Sequence, residues 1–325
     1  MKLTVTSSPH IRNKVNTRSI MLDVVIALLP ALIAGVFHFG VRALLVAVVC
    51  VAAALAAEWI CGALNFKRNT TLDGSAIVTG LLLALTLPAA VPYEIAAIGS
   101  AFAIIVIKGM CGGLGKNIFN PALAGRAFLL LLWPVYIVRF TVPGAELSLF
   151  GSNVDAVASS TPLHHMVMPA LPEESLMTMF MGKIGGTIGE TCTFALLIGG
   201  AYLVYRKVIS VRIPAAYLGT VAVLTLVFSK GEDPIAWMLY SLLGGGVVLG
   251  AIFMATDYAT SPVTPKGQII YGIGCGILTV LFRYYGLFPE GVTYAILLMN
   301  AMVWIFDYYT APRRFGYQKG GRHEN

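Results

Sequence analysis

Leu72-Asp73-Gly74-Ser75-Ala76-Ile77-Val78-Thr79-Gly80-Leu81-Leu82-Leu83-Ala84-Leu85-Thr86-Leu87-Pro88 is the stretch whose reading decides the fold. Its apolar run, Ala76 to Leu87, is closed by Pro88. That is too short for the ~20 helical residues that cross a hydrocarbon core. It reads as a tilted short span or as a half-helix buried in protein, where backbone polar groups stay satisfied. Asp73 and Ser75 are good N-cap types for its start.

The chain around this run has 325 residues, 58% of them hydrophobic and 11% charged. Soluble domains carry about 25% charged residues, so this is an integral membrane protein. Its length accommodates about ten spans with short loops. Span one runs from about Ile20 to Phe39 and span two from about Ala43 to Leu64. After the short run come span four, about Glu94 to Met110, and span five, Pro121 to about Val138. This first block, 20–138, is followed by a polar interval, 139–187, and a second block, 188–310. The second block holds spans at about Ile188–Tyr205, Ile213–Phe228, Ile235–Ala255, Gln268–Tyr285 and Val292–Tyr309. Tails of 1–19 and 311–325 flank the two blocks, and no apolar core precedes Ile20, so no cleavable signal peptide is expected.

The third span of the second block contains Gly244-Gly245-Gly246. Triple Gly weakens a helix unless its backbone is wanted close to something. Discontinuities at the third position of both blocks point to an internal repeat with a ligand site between the halves. An odd number of spans per half makes the repeats inverted. The expected fold class is an all-α membrane protein of about ten transmembrane helices in two five-span inverted repeats.

The net charge of +7 comes from basic residues beside hydrophobic segments, with no basic patch interleaved with aromatics. Nucleic acid is therefore not an expected partner; the membrane lipid is. With ten spans both tails share a side, which carries fifteen Lys and Arg, among them Lys67, Arg68, Lys116, Arg206 and Lys207. The opposite side carries five: Arg42, Arg139, Lys183, Lys230 and Arg283. That bias puts both tails in the cytoplasm and the 139–187 interval outside.

That interval holds Asp155-Ala156-Val157-Ala158-Ser159-Ser160-Thr161-Pro162-Leu163. Long loops between spans usually carry function, although Ser and Thr are also ordinary turn residues. The neighbouring His164-His165 lacks partnered ligand spacing and reads as solvated rather than as a metal site. Five scattered cysteines form no C-x-x-C pair and read as buried small side chains. Ionisable residues within spans are Asp23, Glu58, Lys108, Arg126, Glu190 and Asp307. Such groups face a partner or a cavity. Asp23, Arg126, Glu190 and Asp307 stand close enough to span ends to meet water. Glu58 and Lys108 are the candidates for an ion path or an interhelical pair.

Several stretches resemble the RnfD family of the Rnf complex and its relative NqrB, from the sodium-pumping NADH:quinone reductase. They are Ser7-Ser8-Pro9-His10, the Asp73–Ala84 stretch, and Gly112-Gly113-Leu114-Gly115-Lys116-Asn117-Ile118-Phe119-Asn120-Pro121-Ala122. The nonapeptide at Thr161, Thr256-Asp257-Tyr258-Ala259-Thr260-Ser261-Pro262 and Asp307-Tyr308-Tyr309-Thr310 continue the match. Tyr258 departs from the family's usual Pro. The resemblance covers nearly the whole chain, and its most specific part is the Gly112–Ala122 run.

The resemblance implies that FMN is carried covalently through a phosphoester on Thr161, outside the cytoplasm. Ala158 and Ser160 depart from the family's usual Ser and Ala, so Ser159 and Ser160 remain acceptors beside Thr161, with Asp155 at the head of the motif. It further implies non-covalent riboflavin, for which Gly112, Gly113, Asn117, Asn120 and Asp257 are the candidate binding residues. The implied function is an electron carrier within an ion-translocating ferredoxin:NAD oxidoreductase, the Rnf complex of a prokaryotic inner membrane, coupled to Na+ or H+. Implied partners are a second flavinylated protein of the complex (RnfG), its membrane proteins RnfA and RnfE, and a flavin transferase. No dinucleotide fingerprint appears on this chain. A channel or transporter of the five-plus-five fold that urea transporters share, or a scaffold without cofactor, fits the same spans; a flavin at Thr161 discriminates among them.

Overall fold

The computed structural model describes residues 16–63, 73–149, 158–159, 172, 174–286 and 291–312. The architecture is mostly helical. Its first two helices, α1 (Thr17–Phe39) and α2 (Val41–Ala63), are each long and apolar enough to cross a membrane. The short run is α3 (Ser75–Leu85), 11 residues, with Gly74 in the left-handed region at its N-cap. Asp73 Oδ1 accepts from the Ser75 N–H at 2.9 Å, which satisfies a first-turn donor. α4 (Tyr93–Phe102) passes directly into a π-helical stretch, Ala103–Gly109. α5 (Pro121–Leu132) starts with Pro at its first position and Asn120 as N-cap, and α6 (Pro134–Ile137) continues it after a break at Trp133.

A two-residue ribbon follows. β1 (Phe140–Thr141) pairs antiparallel with β2 (Ala158–Ser159), Phe140 opposite Ser159 and Thr141 opposite Ala158. Thr141 also bridges to Gly186. After the short α7 (Leu176–Met181) the backbone runs non-helically through Gly185-Gly186-Thr187-Ile188-Gly189-Glu190-Thr191 before α8 (Thr193–Tyr205). The span expected from Ile188 thus becomes helical only at Thr193. The Ile188 and Gly189 N–H groups instead donate to the carbonyls of Leu87 and Leu85, at 3.0 and 2.8 Å. A non-helical segment is tolerated at such burial because the C-terminal end of α3 offers carbonyls that no helical residue can use.

The remaining elements are α9 (Arg212–Val227), α10 (Pro234–Leu243), α11 (Val247–Leu249) with a π-helical stretch Gly250–Met254, α12 (Pro265–Tyr285), α13 (Val292–Ala301) and α14 (Val303–Thr310). Chain direction changes by 61° between α10 and the α11 segment, at Gly244–Gly246, and by 51° between α13 and α14. Among the described residues three helices can cross a membrane by length and composition, or five if each bent pair is one span. The chain is a multi-pass integral membrane protein.

Small residues let helices close on one another where lipid gives no hydrophobic drive. Gly272 and Gly276 of α12 face Ala216, Tyr217 and Thr220 of α9. Gly199 of α8 lies directly on the Ala27 carbonyl of α1, and a Cβ there would overlap that oxygen. Gly199→Val should therefore push α1 and α8 apart and destabilise the protein by about 1–3 kcal/mol, as overpacked cores do. Thermal melting of the purified chain checks this; an unchanged midpoint would refute the close contact.

Buried arginines hold the interrupted backbone. Arg42 donates to the carbonyls of Ala89 and Val91, beyond the end of α3, at 3.0 and 3.3 Å. Arg283 donates to the Gly244 carbonyl, at the α10–α11 break, at 2.7 Å. Each supplies charge-assisted bonds to carbonyls of the non-helical backbone at these interruptions.

Candidate functional site

Glu58 near the end of α2 and Lys108 on the π-helical stretch after α4 are both buried, at 4% and 3% exposure, and form an ion pair. Lys108 Nζ also donates to Ser75 Oγ at 2.6 Å, and Ser75 Oγ donates to Asp73 Oδ1. Three elements and the loop before α3 thus meet in one charged chain. A π-helical stretch often marks a functional position, and here it carries the lysine. The pair is interhelical; burial at this depth makes each charge depend on the other.

Beside this network lies a cavity of about 70 Å³, lined by Ser75, Lys108, Asn117, Asn120, Thr256 and Asp257 among others. It has room for several waters at the ~10–15 Å³ that one needs. The lining comes from α3, the Gly112–Pro121 turn and the loop after the second π-helical stretch, so it joins the two halves of the sequence. Gly112 and Gly113 have φ of +99° and +94°, a turn that residues with a Cβ adopt poorly. They shape the turn without lining the cavity.

The Asn residues differ in role. Asn120 Oδ1 caps α5 through the Ala122 and Leu123 N–H groups, at 3.0 and 3.2 Å, and its amide donates to the Met254 carbonyl at 3.2 Å. Asn117 is 6% exposed, and its Oδ1 has no hydrogen-bond partner among the described residues. Asp257 accepts from the Thr260 hydroxyl at 3.1 Å. Burial raises its carboxyl above the usual range, opposed by that hydroxyl and by the Ala259 backbone.

A second polar centre joins α5 to the non-helical segment: Arg126 pairs with Glu190 at 2.8 Å, with 4% and 12% exposure. Gly246, in the left-handed region, packs on the Glu190 side chain. Arg126 and Glu190 were expected near span ends; they are instead partners in the interior. Asp23 is also buried, accepting from Tyr202 at 2.9 Å and Arg206 at 3.1 Å. Asp307 accepts from the Val263 and Thr264 N–H groups at 3.0 and 3.3 Å, ahead of α12. The Gly185–Thr191 segment was missed from sequence; its cluster of Gly and Thr before a helical run was the available sign.

Of the residues expected to carry a flavin, Asp155, Ser160 and Thr161 lie outside the described residues, as do His164 and His165. Ser159 is described by its backbone alone, in β2. Lys108, Asn117, Asn120 and Asp257 meet around the cavity, with Glu58 one contact behind Lys108.

Broken helices meeting buried ionisable groups at the junction of two halves define a membrane protein built for transfer across the bilayer. The sequence model of the NQR2, RnfD, RnfE family matches residues 4–316, and the chain belongs to that family. It is 47% identical over 98% of its length, and 97% of the relative's, to the D subunit of the Na+-translocating ferredoxin:NAD+ oxidoreductase complex of Acetobacterium woodii. It is 42% identical to the D subunit of the proton-translocating ferredoxin:NAD+ oxidoreductase complex of Clostridium ljungdahlii, over 96% of each chain. Identity to the D subunit of the ion-translocating oxidoreductase complex of Stutzerimonas stutzeri is 36%, over 93% of each.

Proposed function

We infer that this chain is the membrane electron carrier of an ion-translocating ferredoxin:NAD+ oxidoreductase complex. Near full-length similarity to relatives named for that complex carries the reading. The buried Glu58–Lys108 chain and the adjoining cavity fit it, since polar groups at this depth are retained for function.

The arrangement we propose is ten spans in two inverted five-span halves. Corresponding packing supports it: α2 on α4 as α9 on α12, with α1 against α8 and α5 against α13 at the junction. The basic-residue bias favours cytoplasmic tails and an external 139–187 loop in the inner membrane.

FMN attached through a phosphoester to Thr161 would supply the one- and two-electron chemistry, with the protein contributing position and electrostatics. The β1–β2 ribbon pairs Ser159, two positions before Thr161 in the sequence, with Phe140. A riboflavin at the Gly112–Asn117 turn would need neighbouring proteins of the complex to enlarge the cavity, which has the size of a few waters. RnfG, RnfA and RnfE counterparts and a flavin transferase are the partners this role requires.

Membranes with and without this chain, given reduced ferredoxin and NAD+, test the role. NADH formation with Na+ or H+ uptake should be present only with the chain. NADH formation that persists without it would remove the chain from the electron path.

A further inference from the structure

The turn between α1 and α2 is a single residue, Gly40, at φ +75°. It puts His38 and Arg42 on one corner of the fold, and together they hold both described ends of the 139–187 interval. At the entry, the Gly144 N–H donates to the His38 carbonyl at 2.8 Å. Arg42 donates to the Ser148 carbonyl and, at 3.5 Å, to that of Leu149. The Leu149 carbonyl also accepts from the Tyr93 hydroxyl at 2.8 Å. At the exit, the His38 ring donates to the Met181 carbonyl at 3.0 Å.

Arg42 also reaches away from the loop, since its other bonds go to Ala89 and Val91, just beyond α3. The exit converges on the same place, where Ile188 and Gly189 donate to Leu87 and Leu85. Residues 85–91 thus receive both ends of the interval, one through the arginine and one directly. A guanidinium suits this bridge. Its planar fork of five N–H donors reaches carbonyls on two segments, where an ammonium acts as a point charge. The Tyr93 ring covers it, with the centroid 4.8 Å from the guanidinium carbon. A charge only 1% exposed is costly to keep in such a place unless its position is used. From this bridge α3 runs to Ser75, which accepts from Lys108. One short helix therefore joins the stem of the loop to the buried ion pair.

We propose that Arg42 is a positioning residue that ties the stem of the 139–187 loop to α3, so that a displacement of the loop reaches the Glu58–Lys108 pair. A packed short helix shifts as a body, because close-packed interiors do not deform continuously. The inference rests on the electron-carrying and ion-translocating role proposed above. Without the bridge, electrons still pass while fewer ions move.

Two variants test this. Arg42→Gln removes the charge and most of the fork, and Arg42→Lys keeps the charge and removes the fork. In membranes given reduced ferredoxin and NAD+, ions taken up per NADH should fall about fivefold in either variant, with NADH formation within about twofold of the unaltered complex. Trypsin should also cut the purified Arg42→Gln chain faster than the unaltered one at Arg139 or Lys183, where the Lys and Arg of the interval stand. Unchanged cleavage refutes the grip. Faster cleavage with an unchanged ion-to-NADH ratio reduces Arg42 to a clamp and overturns the proposal. NADH formation and ion uptake falling in proportion overturns it too, since that is what a poorly folded chain gives. If Arg42→Gln fails to accumulate, Arg42→Lys decides by the same ratio and the same cleavage. An unaltered complex that forms NADH with no ion uptake sinks the translocating role itself, an outcome read before any variant is compared.

Discussion

Thr161→Val should produce a chain that runs dark on a denaturing gel, where the unaltered chain, made together with its flavin transferase, fluoresces. The effect is all or none because Val matches Thr in shape and lacks the hydroxyl oxygen on which a phosphoester depends. Pro162 and the rest of the loop stay unchanged, so folding is not the variable. Fluorescence surviving in Thr161→Val would move the attachment to Ser159 or Ser160, the other hydroxyls of the tripeptide. A dark unaltered chain, with the transferase active on another substrate, would end the covalent-flavin reading.

The next largest effect is expected at the buried ion pair. Glu58→Gln leaves the Lys108 ammonium with Ser75 as its remaining described partner, and Lys108→Met leaves the Glu58 carboxylate without its ammonium. Breaking a buried pair from one side costs about 3–5 kcal/mol, because a charge is left uncompensated. The double substitution Glu58→Leu with Lys108→Met removes both charges and should be milder than either single change. Melting of the three purified variants checks the order. In complexes that still assemble, both single variants should move fewer ions per NADH formed. Unchanged ion uptake in both would make the pair a fastening alone.

Chain length and glycine content made the broken third segments readable before any coordinates. α3 is short because Pro88 closes an apolar run begun at Ala76, and the 61° bend falls where three glycines interrupt the other half. The Gly185–Thr191 segment was not readable in this way. Ile188 and Gly189 look like the start of an apolar helix, and what holds them in a turn instead is hydrogen bonding to the carbonyls of Leu87 and Leu85, about a hundred residues earlier. The same limit applies to the charged groups. Sequence flags Glu58, Lys108, Arg126 and Glu190 as costly in hydrocarbon, but only long-range packing shows that they neutralise one another in two pairs. Asn117 and Asn120 look equivalent in the motif. The difference arises because Asn120 sits at a helix start and uses its oxygen there.

The brevity of α3 has an electrical consequence. Eleven helical residues measure about 16 Å, roughly half of a ~30 Å hydrocarbon core. One end of α3 meets the Lys108 network and its cavity; beyond the other, Arg42 grips the turn at Ala89 and Val91. Where polar groups reach in from both sides, the membrane voltage falls across the thin apolar layer between them. A potential of 100 mV is worth about 2.3 kcal/mol per elementary charge, and polar groups at both ends of α3 would concentrate that drop over the length of one short helix.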